Sequence, residues 1–317
     1  MKYVEFLAIL LLIIISFRQT ALQSSVVIAN EAKTALIPTH LRDRVIDRLN
    51  IRNHEKTFSV PKEIVADAVL FGDLTNGQII SGKNTQTRLP IASISKIMTA
   101  YVVLHELPTT SEIPISLSAI RTEGPAGNLT VGEVFSLKDL ITIMMVESSN
   151  DAAAALAEYV GAVRGGESYS DRQQIFIDLL NDYALELDMY STIFQTPSGL
   201  DLASKQPSNL SSTEDLFKLI IASREYPEIW NGSRHGSISV KSLSGNLHQL
   251  KNTNDLAKNL THLIGSKTGT TITAGESNVL LFEQPFGAPK VLILLGMPFG
   301  TRTETIKTFI ELTEQNL

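Results

Sequence analysis

The chain has no cysteine. That absence excludes disulfides, thiolate catalysis and cysteine metal sites, and it is compatible with an oxidising compartment. An excess of basic residues is also missing. The formal net charge is −6 over 317 residues, which argues against a nucleic-acid footprint. The six histidines (His40, His54, His105, His235, His248, His262) show none of the spacings of a histidine-based metal site, so no metal and no cofactor is expected. Internal repeats and low-complexity segments are absent. What the chain does have is apolar bulk, 43% hydrophobic residues, enough for a substantial core in one large domain or two lobes.

The N-terminus, MKYVEFLAILLLIIISF, holds an unbroken apolar run from Phe6 to Ile15. It is short for a transmembrane helix and suits the apolar core of an export signal. Nothing just after Arg18 has a small-x-small cleavage pattern, and Val27-Ile28-Ala29 fits better but lies far downstream. Residues 1–23 are therefore read as a signal peptide or an N-terminal membrane anchor, with the anchor favoured. Residues 24–58 read as a mixed, polar spacer with one charged helical patch, His40 to Asn50. Residues 59–317 read as the folded domain.

Both ends of that domain carry β signals. Val65–Leu74 and Gln78–Ser81 flank the turn Thr75-Asn76-Gly77, a strong hairpin signal. Asn278–Phe282 and Val291–Met297 flank a second turn, Gln284 to Pro289. Hairpins make antiparallel sheets. The middle is mostly helical, over Leu137–Val146, Asp151–Val160, Asp171–Leu187 and Thr213–Ser223. A last helix over Thr301–Leu317 is expected to cover one sheet face. The fold class is α+β: an antiparallel sheet from both chain ends, covered by helices, with a helical lobe between.

Three motifs carry chemistry. Pro90 to Leu107 reads PIASISKIMTAYVVLHEL, and Pro90 favours an extended entry, so a helix is expected to begin just after it. Ser93 then lies in the first turn, and Lys96, three residues on, shares its face. A serine needs a base to become a nucleophile. A lysine serves as that base only when burial or a second cation lowers its pKa. The free N–H groups of a helix start also suit a developing oxyanion. The plain alternative is a helix cap and a solvated lysine, and a second Ser-x-x-Lys, Ser59 to Lys62, has a proline inside it. Next, Ser148-Ser149-Asn150 lies between two helices and presents a hydroxyl and an amide, although serine and asparagine are also ordinary caps. Ser244-Gly245-Asn246 repeats its spacing among turn residues with no helix after it. Third, Lys267-Thr268-Gly269-Thr270 follows a segment, His262 to Ser266, that can extend into an edge strand. Gly269 would let a substrate backbone approach closely. Thr268 offers a hydroxyl there, and Lys267 offers a cation for a carboxylate that would also depress the pKa of a neighbouring Lys96.

Each motif is weak alone. Together and in this order they resemble the pattern shared by penicillin-binding proteins and class A β-lactamases, hence a β-lactamase/transpeptidase-like fold. The stretch Pro90 to Ala100 resembles the nucleophile region of low-molecular-weight penicillin-binding proteins that act as serine-type D-alanyl-D-alanine carboxypeptidases. Asn150 to Ala153, Asn252-Thr253-Asn254, and Lys267 through Gly275 are similar to that family too. Thr196-Pro197-Ser198-Gly199-Leu200 resembles its Asn-Pro-x-Gly-Leu stretch, with threonine for asparagine. The resemblance spans roughly residues 60 to 312.

The resemblance implies a catalytic set of Ser93, Lys96 and Ser148. Ser93 attacks the carbonyl between two D-alanines of a peptidoglycan stem peptide and Lys96 takes its proton. Ser148, aided by Lys96, passes a proton to the leaving amine. The backbone N–H groups of Ser93 and Thr270 form the oxyanion hole. Lys267, Thr268 and Gly269 belong to the substrate side, with Lys267 and Thr268 on the terminal carboxylate and Asn150 on the peptide amide. β-Lactam antibiotics would acylate the same serine. Ser149 replaces a glycine common in the family and is expected to change the width of the cleft. The chain ends soon after its last expected helix, without the C-terminal β-rich domain and amphipathic anchor of larger members. Membrane attachment is then expected through the N-terminus, at the outer face of the cytoplasmic membrane or in the periplasm. The short form also resembles endopeptidase members that cut cross-links. A class A β-lactamase would need a deacylating glutamate, and Glu158, Glu167 and Glu186 lie in no Glu-x-x-x-Asn setting. A non-catalytic peptidoglycan-binding relative would be marked by loss of Ser93 or Lys96, and both are present.

Overall fold

The computed structural model describes residues 59–314 apart from 122, 123, 125, 126 and 204. The expected export segment and spacer lie outside the described residues. Among the described residues no helix is long and apolar enough to cross a membrane.

A five-stranded antiparallel sheet organises the domain. Its strands are β1 (Ala68–Asp73), β2 (Gln78–Lys83), β9 (Leu263–Thr271), β10 (Gly275–Glu283) and β11 (Pro289–Met297), with spatial order β2-β1-β11-β10-β9. The two chain ends meet where β1 pairs with β11, Ala68 opposite Leu295 through Asp73 opposite Lys290. The strands β1, β10 and β11 read as near-continuous apolar runs because both sheet faces are covered. On the outer face Phe71 meets Phe309 edge to face at 5.3 Å, within a core that includes Leu280, Leu292, Leu294 and Ile306. Ile306 and Phe309 come from the C-terminal helix Arg302–Glu314. On the inner face a Cβ at Gly72 would lie 2.7 Å from the Phe217 ring, so glycine makes room for the helix Thr213–Ser223.

The helical lobe contains α1 (Lys96–Glu106), α2 (Leu137–Val146), α3 (Asn150–Val163) and α4 (Tyr169–Glu186), followed by α5 (Thr213–Ser223); α6 is the C-terminal helix (Arg302–Glu314). The starts of α2 to α5 are capped by serines. Ser136, Ser149, Ser168 and Ser212 each accept a backbone N–H of the first turn. The Ala-rich run of α3 is buried on nearly every side, which explains its composition: only small side chains fit between packed helices.

Short pairings escape the pattern reading: β3 (Leu89–Pro90) with β6 (Leu210–Ser211), and β4 (Glu112–Pro114) with β5 (Val134–Ser136). A further hairpin, β7 (Ser237–Lys241) and β8 (Leu247–Lys251), is closed by Ser244-Gly245-Asn246. That second Ser-x-Asn is therefore a turn, and the Asn246 amide donates to Glu133 at 2.7 Å. The other decoy, Ser59 to Lys62, is exposed at both ends and forms no helix.

Candidate active site

Among the described residues, strand β9 pairs only with β10 and forms one edge of the sheet. The nucleophile motif packs against that edge. A Cβ at Gly269 would lie 3.0 Å from the Ile91 carbonyl oxygen and 3.2 Å from the Ser93 nitrogen, so the missing side chain lets the two backbones meet. The expected helix after Pro90 starts as a 3₁₀ turn, Ala92–Ser95, before α1 begins at Lys96. In 3₁₀ geometry residues i and i+3 eclipse, which stacks Lys96 directly over Ser93.

Lys96 is fully buried, and its Nζ has three partners: Ser93 Oγ at 2.9 Å, Asn150 Oδ1 at 2.8 Å and the Ser198 carbonyl oxygen at 2.8 Å. The last two only accept. In its neutral form the amine would have two N–H bonds for these acceptors and one lone pair left for the Ser93 hydroxyl. Burial, and then the charge of Lys267, holds the Lys96 pKa well below the ordinary lysine value.

The loop between α2 and α3 places Ser148 at φ 60°, and Ala92, next to Ser93, has φ 47°. Non-glycine residues in this region cost of order 1–3 kcal/mol and persist where packing over-determines them. Two of them flank this one cleft. Lys267 Nζ donates to Ser148 Oγ at 2.8 Å and to the Thr268 carbonyl at 2.8 Å. Lys267 is 1% exposed. Burial, followed by the charge of Arg302, brings its pKa down to about 7.

Thr268 and Thr270 are two apart on β9 and so share its outer face. Thr268 Oγ1 and Thr253 Oγ1 share a hydrogen bond of 2.7 Å. Arg302, at the start of α6, donates to the Gly269 carbonyl at 2.9 Å and also to the Thr270 hydroxyl.

The chain matches the D-alanyl-D-alanine carboxypeptidase family, peptidase S11, over residues 54–282. The chain belongs to that family. This D-alanyl-D-alanine carboxypeptidase, a hydrolase, is 32% identical over 224 residues to a D-alanyl-D-alanine endopeptidase of Pseudomonas aeruginosa, covering 69% of this chain and 67% of the relative. It is 30% identical over 269 residues to the D-alanyl-D-alanine carboxypeptidase DacC of Escherichia coli, covering 80% of this chain and 60% of the relative. In fold it is similar to the Streptomyces K15 DD-transpeptidase, with TM-score 0.72 and 24% identity over 81% of this chain and 100% of that one. The α+β transpeptidase-like fold is the one expected.

The family's motifs converge as the sequence predicts, with three changes of partner. Ser148 Oγ accepts a hydrogen bond from Lys267, a partner the motif reading did not give it. Asn150 uses Oδ1 to hold Lys96, and a Cβ at Gly124 would lie 2.7 Å from its Nδ2. Ser149 does not face the cleft: its buried hydroxyl caps α3 by accepting the Ala152 N–H at 3.1 Å, and a Cβ at Gly127 would lie 2.6 Å from it. The threonine that replaces asparagine keeps the local turn. Thr196 Oγ1 accepts the Gly199 N–H at 3.0 Å. Glu158 is engaged by Ser116 at 2.5 Å and Arg172 at 3.4 Å, away from Ser93.

The sequence reading missed Arg302 and the Ser198 carbonyl. Arg302 had a signal: a cation in the first turn of a helix opposes the helix dipole, and a broken local rule often marks a site. The Ser198 carbonyl had none, since every residue has one.

Proposed function

We propose that Ser93 is the nucleophile through which this carboxypeptidase removes the terminal D-alanine of peptidoglycan stem peptides. The observation that carries it is the placement of a buried, pKa-depressed Lys96 amine 2.9 Å from Ser93 Oγ with its other partners both acceptors. Lys96 takes the hydroxyl proton as Ser93 forms its bond to the D-alanyl carbonyl carbon. The oxyanion is held by the N–H groups of Ser93 and Thr270, a donor of this kind being worth roughly 10²–10³ in turnover. Ser148 passes a proton to the departing amine, with protonated Lys267 behind it. Asn150 orients Lys96. Thr268, Thr270 and Arg302 share one side of the strand, where two hydroxyls and a guanidinium fork suit the terminal carboxylate. Lys267 is turned inward, so the carboxylate passes from Lys267 to Arg302 in this scheme. Water then releases the acyl-enzyme. A β-lactam acylates the same serine.

The similarity to an endopeptidase supports a second activity, cleavage of D-alanyl cross-links by the same acyl-serine chemistry. Export to the cell envelope, attachment through residues 1–23, and a catalytic domain over 59–317 complete the proposal. Intact mass over time with benzylpenicillin tests it. A persistent adduct on the wild type and none on Ser93→Ala is expected, whereas a full adduct on Ser93→Ala would assign the nucleophile elsewhere. Pentapeptide monomers against cross-linked dimers separate the two activities.

A further inference from the structure

The loop after α4 links the two halves of the cleft. Within residues 196–201, the Ser198 carbonyl holds Lys96, and Asp201 reaches the turn that ends β9. Asp201 Oδ1 accepts the Thr273 hydroxyl at 2.7 Å and Oδ2 accepts the Thr273 N–H at 3.2 Å. A Cβ at Gly199 would lie 1.9 Å from the Ala92 carbonyl, so this stretch is pressed onto the nucleophile turn and cannot drift from it. Asp201 is half-buried, and it makes no ion pair among the described residues.

The direction of the substrate follows from the proposed proton path. Ser148 and Lys267 mark the leaving-group side, toward the start of the Lys267–Thr271 stretch. The acyl half of the peptide then extends the other way, past Thr271 to Thr273 and Asp201. At about 3.4 Å per residue, Thr273 lies up to about 10 Å beyond Thr270. The stem residue before the scissile D-alanine is one such step along, and a four-carbon side chain adds about 6 Å from bonds of about 1.5 Å. The two lengths are comparable, at most about 10 Å along the protein and about 9 Å along the peptide.

We propose that Asp201 is a specificity determinant, selecting stem peptides whose third residue carries a free side-chain ammonium. This rests on Ser93 being the acylated serine. The carboxylate is held in place by Thr273 and keeps lone pairs for a cationic donor. Acylating or cross-linking that amine removes the charge, and such peptides lose the contact.

The test uses the full chain in detergent and two pentapeptides, one with lysine at the third position and one with Nε-acetyl-lysine there. D-Alanine release is measured for each, and benzylpenicillin titration counts competent enzyme. The wild type is expected to favour the free amine by roughly 10-fold in kcat/KM, the scale of a charge-assisted hydrogen bond. Asp201→Asn, which keeps an acceptor for Thr273, is expected to lose that preference through the lysine peptide alone. Asp201→Glu restores part of it, and Thr273→Val, which keeps the carboxylate, retains it. No preference in a wild type that titrates fully, or equal loss on both peptides in Asp201→Asn, overturns this assignment alone. A wild type that forms no penicillin adduct overturns the acyl-serine reading and this one with it.

Discussion

Lys267 donates to the Ser148 hydroxyl at 2.8 Å, across 119 residues of sequence. The contact joins strand β9 to the loop between α2 and α3. It also sets a row of basic side chains, Arg302, Lys267 and Lys96, in which each lowers the pKa of the next.

That row predicts a pH signature. Lys267 must be protonated to support Ser148, and its pKa is about 7. Acylation is therefore expected to fall on the alkaline side. Arg302 is one of the two causes that depress Lys267, so Arg302→Gln moves the Lys267 pKa up and the alkaline limb to higher pH. The pH dependence of the second-order rate of acylation by benzylpenicillin reads the limb. An unmoved limb removes Lys267 from the proton path.

The terminal carboxylate separates the same two residues differently. Arg302→Gln is expected to cost free-acid peptides about 10–100-fold in kcat/KM, the range for a hydrogen bond to a charged group. C-terminal amides should change little. Lys267→Ala should impair acids and amides alike, because it acts through Ser148. Comparing both substrates on both variants decides it, and a selective loss in Lys267→Ala would return the carboxylate to Lys267.

Gly199 tests the grip of the loop on Lys96. It has φ 79°, and any Cβ there meets the Ala92 carbonyl. Gly199→Ala adds about 1–2 kcal/mol of left-handed backbone cost and pushes Ser198 off Lys96. Penicillin acylation is expected to drop at least 10-fold in protein whose far-UV circular dichroism remains native. Full acylation in such a variant would make the Ser198 contact dispensable.

Asp151 predicts stability rather than rate. It is 2% exposed in the first turn of α3, and its Oδ1 has no hydrogen-bond partner among the described residues. The helix start favours a carboxylate, but burial outweighs it and pushes the pKa up to about 6. A folded pKa raised above the unfolded one, about 4, means that folding favours the protonated form. Its contribution is complete below about pH 4 and is lost as pH rises through about 6. Asp151→Asn is therefore expected to raise Tm at neutral pH, by roughly 2–4 °C per kcal/mol recovered, and to gain little near pH 4. Thermal unfolding at the two pH values checks this; an equal shift at both would assign the effect to packing.

Much of the molecule is readable from local sequence. The hairpin around Thr75-Asn76-Gly77, the second hairpin at Gln284 to Pro289, and helices α2 and α5 match the pattern because turn chemistry and apolar period act over a few residues. The short pairings β3–β6 and β4–β5 were not readable. Strands of two or three residues have no period, and their partners are brought together only by the packed lobe. Ser149 shows the same limit in the site: its type and place were visible, but not that its side chain turns inward to cap α3.

By itself the sequence determined the two-lobed order, the three motifs and the stacking of Lys96 on Ser93, since that pair lies within one helical turn. Tertiary structure alone decided that Ser148 answers to Lys267, that Asn150 and the Ser198 carbonyl hold Lys96, and that Arg302 reaches Thr270. It also decided how far the pKa values of Lys96 and Lys267 fall. Protonation depends on burial and on the charges folded alongside, and residue spacing encodes neither.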